Sequence, residues 1–136
     1  MKRITARFDI DVLVVDDYLI NLELTKHMLQ MMKCRVDTAE TGPEAIDRVK
    51  GKQYDIIFMD IQMPEMDGVE ATSEIRKLTE QNGHIPVVAL TANAIEGDRE
   101  KYLEAGLDDY ISKPITGEGL EEILMRQLSE DKIKHR

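Results

Sequence analysis

Two short apolar runs of the chain stop on carboxylates. Val12-Leu13-Val14-Val15 leads into Asp16-Asp17, and Ile56-Ile57-Phe58-Met59 leads into Asp60. Three acids gathered in one crevice repel one another, and their pKa values rise unless something neutralises them. A hard divalent cation is the simplest remedy, and an all-oxygen site with room for water and a phosphate favours Mg²⁺. The plainer alternative makes Asp16-Asp17 the cap of a helix, but a cap needs only one of them and leaves Asp60 without a purpose. Two more runs end on complementary groups. Val87-Val88-Ala89-Leu90 ends at the hydroxyl of Thr91, and Asp109-Tyr110-Ile111-Ser112 at the ammonium of Lys113. Parallel strands lie ~4.8 Å apart, so the last run stands about 10 Å from the one ending in Asp60, a gap that Lys can span.

These side chains meet only if a fold brings the strand ends together. Five apolar runs recur, at Ile10–Val15, Arg35–Thr38, Tyr54–Met59, Ile85–Leu90 and Asp109–Ile111. Three of them are continuous rather than alternating, which suits parallel strands covered on both faces. Segments with helical spacing separate them. Ile20, Leu24, Met28 and Met31 form one stripe of a first helix, while Thr41-Gly42-Pro43-Glu44 and Asp67-Gly68-Val69-Glu70 carry capping signals for the second and third. Ile95, Arg99, Tyr102 and Leu103 mark a fourth helix stopped by Gly106, and Leu120, Ile123, Leu124 and Leu128 a fifth.

The spacing predicts an α/β fold, (βα) five times over, with a doubly wound five-stranded parallel sheet. The common order for such a sheet is 2-1-3-4-5, and ligands then sit at the carboxyl ends of the first and third strands, where the winding reverses. That order brings Asp16, Asp17 and Asp60 together. No repeat, low-complexity stretch or linker divides the 136 residues, so one domain is expected over 1–136, its core at about 10–129.

Composition narrows the partners. Asp plus Glu number 27 against 18 Lys plus Arg, and the net charge of −9 disfavours nucleic acid or an anionic membrane face as the main partner. The single Cys34 excludes an internal disulfide and any CxxC site, which suits a reducing, cytoplasmic setting. The apolar runs are too short to insert in a membrane, and Met1 to Asp9 has no secretory h-region. His27, His84 and His135 have no ligand-spaced neighbours in sequence and read as ordinary side chains, as does Cys34 at the start of the second strand.

The motifs resemble the receiver domains of two-component response regulators from Asp11 to about Leu128. They are Val15-Asp16-Asp17, Met59-Asp60-Ile61-Gln62-Met63-Pro64-Glu65-Met66-Asp67-Gly68, Ala89-Leu90-Thr91-Ala92-Asn93-Ala94 and Asp109-Tyr110-Ile111-Ser112-Lys113-Pro114. The stretch from Met59 to Ile75, with Asn21, is most similar to receivers attached to hybrid sensor kinases. The resemblance implies that Asp60 accepts a phosphoryl group from a phosphohistidine on a sensor histidine kinase or histidine phosphotransfer domain. It implies Mg²⁺ held by Asp17, Asp60 and the Gln62 carbonyl, with Asp16 acting mainly through water. Lys113 would pair with Asp60 and then with the phosphoryl oxygens, and Thr91 would hydrogen-bond them.

Thr91 and Tyr110 would form a switch that reshapes the face of the fourth helix, fifth strand and fifth helix for a downstream protein partner, the chain acting as a monomer or weak dimer. Gly97 fits a malleable fourth helix or mere tolerance. Gln62 and Asn93 match positions that tune the phosphoryl lifetime, Lys113-Pro114 matches a bond often cis, and Leu19, Asn21 and Ile115 match partner-selecting positions. The rivals are a Mg²⁺-dependent aspartyl-phosphate phosphatase, against which Gln62 stands where a second acid belongs, and a receiver that binds partners without phosphorylation. An FMN binder of the same topology lacks its phosphate loop here.

Overall fold

The computed structural model describes residues 7–79, 84–92, 96–128 and 133–134. Twelve elements follow in order: β1 (Arg7–Phe8), β2 (Asp11–Val15), α1 (Leu19–Met31), β3 (Arg35–Ala39), α2 (Gly42–Gly51), β4 (Ile56–Asp60), α3 (Gly68–Thr79), β5 (Val87–Thr91), α4 (Glu96–Glu104), β6 (Asp109–Ser112), α5 (Gly117–Gln127) and β7 (Ile133–Lys134). Strands β2 to β6 are the five expected, each within two residues of the run that announced it. They form one parallel sheet in the order β3-β2-β4-β5-β6, which is the doubly wound order anticipated.

The pleat of the continuous strands explains the layers. Val12, Val14, Ile56, Phe58, Val88 and Leu90 face one side and pack with Leu22, Leu29, Leu120, Ile123 and Leu124 of α1 and α5. Leu13, Val15, Ile57, Met59, Val87 and Ala89 face the other and pack with Ala45, Val49, Ala71, Ile75 and Tyr102 of α2, α3 and α4. Successive side chains alternate faces, so a strand buried on both sides must be apolar throughout. The two capping signals hold: the Glu44 N–H donates to Thr41 Oγ1 at 3.2 Å and the Glu70 N–H to Asp67 Oδ1 at 2.8 Å.

One helical face departs from expectation. Of the stripe Ile20, Leu24, Met28 and Met31, only Met28 packs partly against the core; Ile20 is 65 % exposed, Leu24 52 % and Met31 60 %. The sheet takes Leu22, Thr25, Leu29 and Met32 instead, an equally regular set one face round. Both stripes fit a 3.6-residue period, so spacing alone could not choose between them.

Two features were not foreseen. Strands β1 and β7 pair antiparallel, Phe8 opposite Ile133, and the Phe8 N–H donates to the Met32 carbonyl at 2.9 Å. Arg76 of α3 also clamps the amino end of the sheet. Its guanidinium donates to the carbonyls of Gly106 and Ile85 and to Asp108, whose carboxylate also meets His84. No helix among the described residues is long and apolar enough to cross a membrane.

Candidate functional site

Asp16 follows β2 directly, and its N–H donates to the Ala39 carbonyl at 3.1 Å, extending the pairing one residue past the strand. Its carboxylate is only 1 % exposed and accepts the Tyr18 N–H at 2.9 Å. Tyr18, and neither acid, is the N-cap of α1, so Asp16 holds the N–H of the capping residue and not one from the first turn of the helix. Asp60 closes β4 opposite Leu90, is 3 % exposed, and accepts the Gln62 N–H at 3.3 Å. Asp16, Asp17 and Asp60 each offer an oxygen within 4.8 Å of the others, two of the side chains buried and Asp17 open to solvent. An all-carboxylate set with one solvent-facing member fits a hard divalent cation that keeps part of its water.

Lys113 reaches in from the end of β6. Its backbone N–H donates to the Thr91 carbonyl at 2.8 Å, which fixes the chain there against β5. The ammonium lies 3.1 Å from Asp60 Oδ1 and 3.6 Å from Asp16 Oδ2. The peptide to Pro114 is cis, as the resemblance implied. One ammonium does not balance three acids. Burial first, then the Asp16 charge, push the Asp60 carboxyl up to about 7, and Lys113 pulls it only partly back.

The loop from Ile61 to Asp67 carries the chain from Asp60 into α3, and Gly68 makes its return possible. A Cβ on Gly68 would stand 2.3 Å from the Asp60 carbonyl oxygen and 2.9 Å from Ile61 Cα. The Gly68 N–H donates to the Ile61 carbonyl at 3.0 Å, closing the loop against the strand that presents Asp60. Only glycine permits that approach.

Thr91 ends β5 at the rim of the crevice, 5 % exposed. Its hydroxyl lies 3.1 Å from the hydroxyl of Tyr102 on α4, a buried pair the sequence reading did not foresee. A signal existed, because a tyrosine in an apolar stripe must place its O–H against something polar. Ile61, Gln62, Asp67, Val69, Lys101 and both hydroxyl residues line a cleft of about 350 Å³ beside the acids.

Tyr110 is half-buried against the second core layer, and its N–H donates to Asp109 Oδ1. Gln62 is exposed, as is Leu19 on α1, while Asn21 and Ile115 are partly buried. His27 is exposed and Cys34 buried, its thiol pushed up to about 12 by burial. Gly97 falls in α4; Asn93 and His135 lie outside the described residues.

The family model for the response regulator receiver domain matches residues 12–125. Over 121 residues the chain is 41 % identical to the signal transduction histidine-protein kinase BarA of Escherichia coli, covering 89 % of this chain and 13 % of that kinase. The chain thus spans a small fraction of the curated relatives it matches. The receiver domain of sensor histidine kinase PA1611 from Pseudomonas aeruginosa, solved with magnesium coordinated in its active-site cleft, is 38 % identical with a TM-score of 0.78; the match covers 88 % of this chain and 97 % of that one. The Ssk1 receiver of Saccharomyces cerevisiae, solved with the histidine phosphotransfer protein Ypd1, belongs to a co-crystal matched at 31 % identity and a TM-score of 0.81, covering 94 % and 97 %.

Proposed function

Because the chain belongs to the response regulator receiver domain family, we propose that Asp60 is its phosphoacceptor, charged by a phosphohistidine partner in a Mg²⁺-dependent reaction. The observation that carries this reading is the buried Asp60 carboxylate held 3.1 Å from Lys113 beside two more acids. In the transfer, an Asp60 oxygen forms the new P–O bond as the P–N bond to the donor imidazole breaks, and the imidazole leaves. Such transfer depends on positioning and charge neutralisation more than on a general base.

Asp60 must be ionised to attack, and its raised pKa means that a positive neighbour is needed at neutral pH. Lys113 supplies one such charge and is placed to follow the phosphoryl oxygens. Asp16, Asp17, Asp60 and the Gln62 carbonyl would hold Mg²⁺, whose role when bound is to neutralise charge on the acids and on the incoming group. Thr91 stands at the rim to donate a hydrogen bond to a phosphoryl oxygen. Asn93 and Gln62 are assigned by resemblance to the lifetime of the product.

The partner would approach α1. Tyr18, Leu19, Ile20 and Leu24 are each more than half exposed there, and a contiguous apolar strip of this kind marks a contact surface. A histidine phosphotransfer domain or sensor kinase resting on it would face Asp60 across the end of β2. The signal would leave through α4, β6 and α5 to a downstream protein, with the chain a monomer or weak dimer and the receiver a single domain. No separate turnover substrate is assigned; self-catalysed phosphorylation and slow dephosphorylation complete the cycle.

Incubating the chain with acetyl phosphate or a phosphorylated histidine kinase and Mg²⁺ tests the reading. An acid-stable, base-labile phosphoryl label is expected on wild type and none on Asp60→Asn. Label retained in that variant overturns the assignment, and multiple turnover of an added phosphoester revives the phosphatase.

A further inference from the structure

Thr91 is placed to donate to a phosphoryl oxygen, yet its hydroxyl already sits 3.1 Å from that of Tyr102. Both residues are largely buried, Tyr102 8 % exposed and Thr91 5 %, in the wall of the cleft beside the acids. A hydroxyl has one proton to give and lone pairs to receive with. A phosphoryl group offers only acceptors. Once Thr91 spends its proton on the phosphate, the contact with Tyr102 survives only if the phenol becomes the donor. Tyr102 is itself held near the end of α4, its carbonyl accepting the N–H of Leu107 at 3.0 Å and of Ala105 at 3.1 Å. Gly106 at φ 102° turns the chain there towards β6.

We propose that Tyr102 is a positioning residue for the phosphoacceptor site: its phenol orients the Thr91 hydroxyl towards the incoming phosphoryl group and ties that hydroxyl's movement to α4. The inference rests on the phosphoacceptor reading of Asp60. A directed chain forms on phosphorylation, from Tyr102 O–H to Thr91 Oγ1 and from Thr91 O–H to phosphate. Hydrogen bonds in series within a low-dielectric interior polarise one another, so loss of the first weakens the second. The contact also carries any shift of Thr91 to a second tyrosine besides Tyr110, one borne on a helix rather than on the sheet.

The experiment is a double-mutant cycle on the full chain, using acetyl phosphate and Mg²⁺, with Tyr102→Phe and Thr91→Ala alone and combined. In this reaction the acyl phosphate P–O bond breaks, acetate departs, and the Asp60 oxygen takes the phosphoryl group. Tyr102→Phe removes one oxygen and keeps the ring, and urea unfolding verifies that the fold persists. About fivefold slower labelling is expected for Tyr102→Phe, the size of one net hydrogen bond. No further loss is expected when it is added to Thr91→Ala, whereas Thr91→Ser stays sensitive to it. The tyrosine difference spectrum with beryllium fluoride and Mg²⁺ should lose a component in Tyr102→Phe and the same component in Thr91→Ala. Independent, multiplying effects, or a spectrum unchanged by Tyr102→Phe, overturn the inference while leaving Asp60 in place. An unlabelled wild type overturns the phosphoacceptor reading, and this one with it.

Discussion

At the amino end of the sheet, Asp9 and Asp11 are met by Arg35, Lys52 bridges Asp11 and Asp37 at 3.3 and 3.1 Å, and Tyr54 donates to Asp37 at 2.7 Å. Asp55 accepts the Asp11 N–H at 2.8 Å. At the carboxyl end, Asp16 and Asp60 share Lys113, and Asp17 stands beside them. The pKa directions follow. Arg35 and Tyr54, as leading partners, hold Asp11 and Asp37 below the usual carboxylate range, whereas burial and Asp16 raise Asp60 to about 7. Both ends are acidic; at one Asp11 and Asp37 are paired and hydrogen-bonded near solvent, and at the other two buried carboxylates share a single ammonium. The carboxyl end carries a cost in stability, which a bound cation would offset.

The contrast can be broken most severely through two glycines. Gly68→Ala drives a methyl into the Asp60 carbonyl and should lower stability by about 2–3 kcal/mol. Gly51→Ala, at the amino end, meets nothing within 4 Å and should raise stability by about 0.5 kcal/mol. Urea unfolding of both variants checks this, and equal effects would erase the difference in crowding between the two ends.

Charge removal should have opposite signs. Asp60→Asn relieves the clash with Asp16 and is expected to stabilise the metal-free chain at pH 7.5 by about 1–2 kcal/mol. Asp11→Asn loses two partially screened ion pairs and should destabilise by less than about 1 kcal/mol. Two variants moving the same way would deny the asymmetry.

A pH series sharpens it further. Asp60 binds its proton more tightly when folded than when unfolded, so stability falls as pH rises from about 4, the unfolded carboxyl range, to about 7. Asp11 and Asp37 work in reverse: their contribution is present above the unfolded value near 3.8 and is lost as pH falls through their lowered folded values. In EDTA the decline between pH 5 and pH 7.5 should be visible in wild type and reduced in Asp60→Asn. Mg²⁺ should stabilise wild type more at the higher pH. The smallest effect expected is on salt dependence, with 1 M NaCl weakening the exposed amino-end pairs more than the buried Lys113 pair.

The carboxyl end was legible because strand and chemistry coincide there. A strand covered on both faces is a continuous apolar run, so the acid that stops it is conspicuous, as Asp16 and Asp60 are. Strand order then followed from a rule about winding, and Lys113 from reach. The amino end was not legible, since Lys52, Asp37 and Tyr54 lie on different elements and nothing in their local pattern joins them. The buried face of α1 was obscured by a second stripe of the same period. Tyr102 shows in the sequence only as a member of the fourth helical stripe, because spacing says where a ring points and not what its hydroxyl finds. The β1–β7 pair is two residues long, too short for any periodicity.

That last pairing has a consequence for how the unit sits in a polypeptide. Phe8 pairs with Ile133 in a two-residue antiparallel ladder at the amino end of the sheet, and its N–H is also fastened to the turn after α1. A chain passing through this fold enters and leaves at one seam, and the seam lies at the opposite end from Asp60. The crevice faces away from that seam, towards whatever molecule comes to it.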